Sequence, residues 1–317
     1  MSADALTSGT SATRRKKRRP MVAFALSLVC PGLGQLYAVR LRRGAQWLGG
    51  AIGLGAVLIG VLLLPPAPSM VMVGAGLLAV LLVYQFVVAI DAYRVARRAG
   101  IVPLHPINRV WIYLAILLAW VLSPELARPH LRWSTYKIAA ASMLPTLPVA
   151  DYIVAWRGYF ADHAPAPGDL VLFTLPRDPS VAFVKRIVGL PGQRIQMRDG
   201  RLTIDDVVVG RERIRDLPAD PAADRRVASV EYVETLASGA RYRILEISDT
   251  GPLDDTPGYE VPPGHVFVLG DNRDNSIDSR VLAGQGAIGF VPLANLHDRP
   301  ALIVGSRDLR RLGQAVR

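Results

Sequence analysis

A chain of 317 residues that is 51% hydrophobic, with a mean hydropathy of +0.28, is too apolar for an ordinary soluble protein and long enough for a membrane part and a globular part. The formal charge of +11 does not point to nucleic acid: thirteen Lys and Arg against only Asp4 and Asp91 fall within the first 109 residues, and acids and bases balance in the rest. The single cysteine, Cys30, excludes an intramolecular disulfide and reads as a small buried hydrophobe.

The first 13 residues are small and polar and are expected to be disordered. Residues 14–19, RRKKRR, stand directly before an apolar segment, a position that suits a cytoplasmic membrane anchor better than a nuclear signal or a nucleic-acid arm. Further long apolar segments follow, so this stretch is not expected to be a cleavable leader. The chain thus begins with a basic cytoplasmic N-terminus, residues 1–20, and a membrane domain, residues 21–127. Residues 44–90 carry no charge and are interrupted by PPAPS at 65–69; at about 20 residues per crossing they fit two spans joined by a tight turn. Arginines at 40, 42 and 43 precede the first span and arginines at 94, 97 and 98 follow the second, which sets both flanks in the cytoplasm. A third span at about residues 110–126 then leaves the cell. Residues 21–39 are uncharged as well, but PGLG at 31–34 breaks the helical pattern, and a crossing there would strand the later domain in the cytoplasm. A re-entrant or interfacial hairpin is expected instead.

From residue 132 the pattern changes to short alternating runs separated by Gly, Pro and Asp. Strands are predicted at Tyr152–Trp156, 170–174, 183–188, 201–209, 242–247 and His265–Leu269, which indicates an all-β domain over residues 128–306. Asp199-Gly200 predicts a hairpin turn. Residues 211–264 are more polar and less regular and read as an inserted subdomain, and residues 307–317 as a frayed tail.

Two stretches of this domain carry chemistry. Ser142, within AASMLPTL at 140–147, precedes a proline that disfavours helix, so it is expected on an accessible loop. Lys185 sits among Phe183, Val184, Ile187 and Val188, an apolar run that can strip water from its ammonium and depress its pKa. A neutral lysine is a competent base for a serine nucleophile. SMLPTL, GDLVLF at 168–173, VKRIVGLPGQRI at 184–195 and GDNRDNSIDSR at 270–280, in this order, resemble the boxes of the type I signal peptidases, serine–lysine proteases that remove signal peptides from exported proteins. The resemblance covers roughly residues 136–306.

The resemblance implies further roles. Ser276 matches the serine that orients the lysine amine, and Asp278 and Arg280 match an ion pair that supports the loop. The Ser142 backbone N–H is expected to serve the oxyanion, where many Gram-negative relatives add a serine two residues earlier; this chain has Ala140 instead. No cofactor is expected. The acidic 270–280 stretch fails the EF-hand pattern, and the five histidines form no zinc motif, so no metal is expected either. The implied partners are signal peptides of exported preproteins, the lipid bilayer and the secretion translocon, with no nucleic acid. The implied location is the bacterial inner membrane, multi-pass, with the catalytic domain on the periplasmic side. Met143 and Leu144 are expected on an apolar surface near the lipid. Two alternatives stand beside this reading: a dedicated or self-processing Ser-Lys protease, and a non-catalytic membrane assembly protein that keeps the fold.

Overall fold

The computed structural model describes residues 15–64, 66–103, 105–127, 131–175, 178–282, 284 and 286–317. The expected disorder of the first 13 residues and part of the 65–69 turn lie outside them. The chain divides into two compact units, one of residues 1–63 and 72–131 and the other of residues 64–71 and 132–317.

The first unit is helical: α1 (Pro20–Val29), α2 (Leu33–Tyr37), α3 (Leu41–Leu62), α4 (Pro68–Ala99) and α5 (Val110–Ala127), with a small ribbon of β1 (Arg15–Lys17) and β2 (Ile101–Pro103). Pro20 starts α1, where its missing N–H costs nothing. The predicted break falls between α1 and α2. Gly32 there has φ +90°, and a Cβ on it would lie 2.3 Å from the Gly44 carbonyl oxygen. Neither α1 nor α2 is long enough to cross a bilayer, which fits a hairpin. Among the described residues, two helices are long and apolar enough to cross a membrane, Leu41–Leu62 and Met72–Ala99; α5 is shorter. Apolar side chains along α4 such as Leu82, Val83 and Phe86 are exposed.

One acid of this unit acts as a clasp. Asp91 on α4 accepts hydrogen bonds from Gln35 Nε2 at 3.0 Å, Arg43 Nε at 3.0 Å and Trp47 Nε1 at 2.9 Å, tying α2 and α3 to α4. Gln35 also donates to the Val88 carbonyl and accepts from Ser27, so its amide is fully used.

The second unit is built on antiparallel strands. Its main sheet has seven, in the order β15 (Val291–Pro292), β14 (His265–Leu269), β6 (Asp178–Gly189), β5 (Leu170–Leu175), β16 (Leu296–Gly305), β4 (Tyr152–Trp156) and β3 (Trp133–Lys137). A four-stranded sheet joins β13 (Tyr259–Glu260), β7 (Arg194–Arg198), β8 (Arg201–Ile204) and β9 (Val207–Val208), and a third joins β10 (Gly210–Leu217), β11 (Ser229–Thr235) and β12 (Arg241–Glu246). The Asp199-Gly200 turn forms as predicted: both residues have positive φ, and Arg198 pairs with Arg201 across it. The run predicted as one strand over 201–209 is two, because Asp205 and Asp206 also take positive φ and turn the chain back.

Two other expectations are corrected. Met143 and Leu144 do not face lipid; both are buried, and Met143 joins Leu147, Ile153 and Leu172 in one core cluster. Residues 307–317 are not frayed. The Val316 N–H donates to the Ala301 carbonyl at 2.9 Å, Ala315 bridges to Leu302, and Arg311 reaches Asp151 at 3.1 Å.

Candidate active site

The pairing of β14 with β6 sets Leu269 opposite Arg186, so the loop that leaves β14 at Gly270 starts level with Lys185. On the other side of β6, Val171 of β5 stands opposite Lys185. Alternation then gives Lys185 and Arg186 opposite faces of the strand, and both are buried. Ser142 lies on the 3₁₀ turn Ala141–Met143, whose buried Met143 anchors it while Ser142 itself stays half-buried.

Lys185 Nζ lies 2.8 Å from Ser142 Oγ and 3.0 Å from Ser276 Oγ. The three side chains singled out in the sequence therefore meet at one amine, drawn from a turn, a strand and a loop. Lys185 is 3% exposed, and this burial pulls its pKa down to about 8, although the charges of Asp278 and Asp271 work against the shift. Burial alone would raise the Asp278 carboxyl, but Arg280 and the Gly270 N–H hold it below the usual carboxylate range. Asp278 and Arg280 meet at 2.9 Å, both with side chains fully excluded from solvent.

The supporting residues were not all legible in the sequence. Arg186, on the reverse face of β6, makes a bidentate pair with Asp271 at 2.8 and 2.7 Å, stacks on the Tyr242 ring at 4.2 Å and donates to the Gly168 carbonyl. Asn272, which follows Asp271, clamps the turn that carries Ser142: its backbone N–H donates to the Ser142 carbonyl at 3.1 Å and its Nδ2 to the Ala141 carbonyl at 3.0 Å. Arg273 is buried against Glu234 of β11, at 2.8 Å for Nη1 to Oε1. Gly270 is needed where these parts converge, since a Cβ there would lie 2.2 Å from Ser276 Oγ and 2.7 Å from the Ser142 carbonyl oxygen. Two adjacent basic residues inside an apolar strand were the available signal for Arg186; nothing in the local sequence points to Glu234.

A hydroxyl held against a desolvated amine, with a second hydroxyl fixing that amine, is an arrangement suited to nucleophilic attack with lysine as base. Residues 109–304 match the family described as "Signal peptidase, peptidase S26". Signal peptidase I of Rickettsia prowazekii is 35% identical over 151 residues, 46% of this chain and 54% of that protein. Signal peptidase I of Rickettsia akari is 33% identical over 151 residues, 46% of this chain and 53% of that protein. The chain thus spans about half the length of the curated relatives it matches. A crystal structure of a signal peptidase I from Enterococcus faecalis V583 aligns with 29% identity over 42% of this chain and 94% of that one, with a TM-score of 0.24.

Proposed function

Since the chain belongs to the signal peptidase family, peptidase S26, we propose that it is a membrane-bound serine endopeptidase that removes signal peptides from exported preproteins, with Ser142 as nucleophile and Lys185 as base. The observation that carries this reading is the 2.8 Å approach of a buried lysine amine to a half-buried serine hydroxyl.

In this reading, neutral Lys185 accepts the Ser142 hydroxyl proton as Oγ attacks the scissile carbonyl carbon. The Ser142 backbone N–H stabilises the oxyanion. Lys185 then passes the proton to the leaving amine as the C–N bond breaks, leaving an ester on Ser142. Water enters, gives a proton to Lys185 and attacks the ester carbonyl; the proton returns to Ser142 Oγ as the acid leaves. Ser276 keeps the amine aimed throughout, and Asp278 and Arg280 hold the loop that carries it. An extended substrate lies along a strand edge with small residues in shallow pockets, as an A-x-A cleavage site requires. α3, α4 and α5 cross the inner membrane, α1 and α2 form the re-entrant or interfacial hairpin, and the β unit lies on the periplasmic side near the bilayer surface. The translocon delivers the substrate.

Incubating the full chain in detergent with a panel of preproteins and weighing the products tests the assignment. Products cut after a small-x-small end support it, and a panel left whole by well-folded protein removes it in favour of the non-catalytic alternative. Cleavage of one dedicated partner alone favours the processing protease.

Two further results are expected. The rate should rise with pH through a value near 8, because only the neutral amine is a base and its pKa is pulled down to about 8; a profile flat from pH 6 to 10 would contradict a lysine base. Gly270→Ala should lower kcat by about 10²-fold with little change in KM, because the added methyl displaces Ser276 from the amine by a distance on which orientation depends. Steady-state kinetics on a preprotein decide this.

A further inference from the structure

A second group of ionisable side chains comes together away from the Ser142–Lys185 contact. Glu246 ends β12, Asp254 lies in the segment that follows, and Asp274 lies on the 3₁₀ turn Arg273–Asn275. One carboxylate oxygen from each lies within 4.8 Å of the other two. Glu246 is 2% exposed and Asp254 0%. Both oxygens of Glu246 and Oδ1 of Asp254 have no hydrogen-bond partner, and the ion-pair contact of Glu246, with Arg211 Nη1, is 3.9 Å long.

The surroundings hold the carboxylates in place without neutralising them. Asp274 Oδ2 accepts from the N–H groups of Ile247 and Ser248 at 2.6 and 3.0 Å, and Asp254 Oδ2 accepts from the Gly251 N–H at 2.5 Å. Gly251 also keeps the space between them clear, since a Cβ there would stand 3.1 Å from Asp254 Oδ2 and 3.1 Å from Asp274 Oδ1. The guanidiniums within electrostatic reach each have a carboxylate of their own: Arg273 has Glu234, Arg211 has Asp249, and Arg280 has Asp278. Burial, with Asp274 nearby, pushes the Glu246 carboxyl up to about 9, and burial raises Asp254 too. A proton on Glu246 would remove one charge and leave acceptor oxygens without donors. One cation would serve all three residues.

We propose that Glu246, Asp254 and Asp274 bind a divalent cation that prefers oxygen ligands, with Ca²⁺ the best fit. A spread of up to 4.8 Å is about twice a Ca–O bond, whereas Mg²⁺ draws its ligands closer and demands a stricter octahedron. The site joins the insert to the loop that presents Ser276, because Asp274 stands two residues before it. No linear motif announces it: the ligands come from separate turns, so the sequence pattern that excludes an EF-hand says nothing about it. The proposal stands whether or not the chain is a protease.

Calorimetric titration of EDTA-stripped full chain in detergent with CaCl₂, alongside thermal unfolding with and without CaCl₂ or MgCl₂, tests it. The expected result is one Ca²⁺ per chain and a Tm raised more by Ca²⁺ than by Mg²⁺. Both effects are expected to vanish in Glu246→Gln and Asp254→Asn and to survive in Asp249→Asn. Gly251→Ala removes no ligand and should weaken Ca²⁺ binding by about tenfold or more. Absence of stoichiometric binding by the unmodified chain overturns the proposal, as does binding that persists in Glu246→Gln and Asp254→Asn. A Glu246→Gln chain that is more stable than the unmodified one with or without Ca²⁺ would instead assign the cluster to proton sharing.

Discussion

Replacing either Ser142 or Lys185 by alanine is expected to lower kcat for preprotein cleavage by about 10⁴-fold or more, roughly 5 kcal/mol of barrier. In the proposed mechanism the two groups share one proton, so the double variant should be no slower than the slower single variant, and additive losses would contradict a shared step. Lys185→Met separates this effect from folding. The folded-state pKa of Lys185 is lowered from 10.5 to about 8, so the ammonium is disfavoured on folding by about 3 kcal/mol. Between pH 8 and 10.5 the unfolded chain binds the proton and the folded chain does not, so this group makes stability rise with pH across that window. Below pH 8 the methionine variant should be inactive yet at least as stable as the parent. Its unfolding free energy should lack the rise above pH 8, which denaturant titration in detergent at pH 7 and pH 10 will reveal.

The second large effect concerns the reverse face of the same strand. Arg186→Met leaves Asp271 buried without its guanidinium, and breaking such a pair costs about 3–5 kcal/mol. For a unit of this size that lowers Tm by about 10 °C or more. Arg186→Lys should not rescue it, because an ammonium cannot reproduce both the bidentate contact and the stacking on Tyr242. The double variant Arg186→Met with Asp271→Asn should recover most of the loss, since no uncompensated charge remains. Thermal unfolding followed by near-UV circular dichroism distinguishes these outcomes; equal Tm for parent and Arg186→Met would mean that the pair contributes nothing.

Much of this architecture could be read from residue order, for reasons that differ between elements. Tyr152–Trp156 and His265–Leu269 form over the predicted bounds because buried apolar residues leave little ambiguity. β10, GRERIRDL, escaped notice because nearly all of its side chains face solvent, so no apolar alternation marks it. β16 escaped because Pro300 interrupts it; the strand accommodates the proline at a shift in register between Pro300 and Leu302. At the site, Ser142, Lys185 and Ser276 were legible through their motifs, and Asp278 with Arg280 as a pair. Asn272 and Gly270 act through backbone approach, which side-chain chemistry does not advertise. Glu234 is the clearest omission: it lies 39 residues before Arg273, in a segment whose composition suggested only an inserted subdomain.

That tether bears on protein engineering. A minimised chain made by excising residues 211–264 would remove Glu234 and strand the Arg273 guanidinium in a dry interior, at the root of the loop that carries Ser276. Trimming this scaffold therefore has to begin elsewhere, or has to exchange Arg273 for an apolar side chain in the same step.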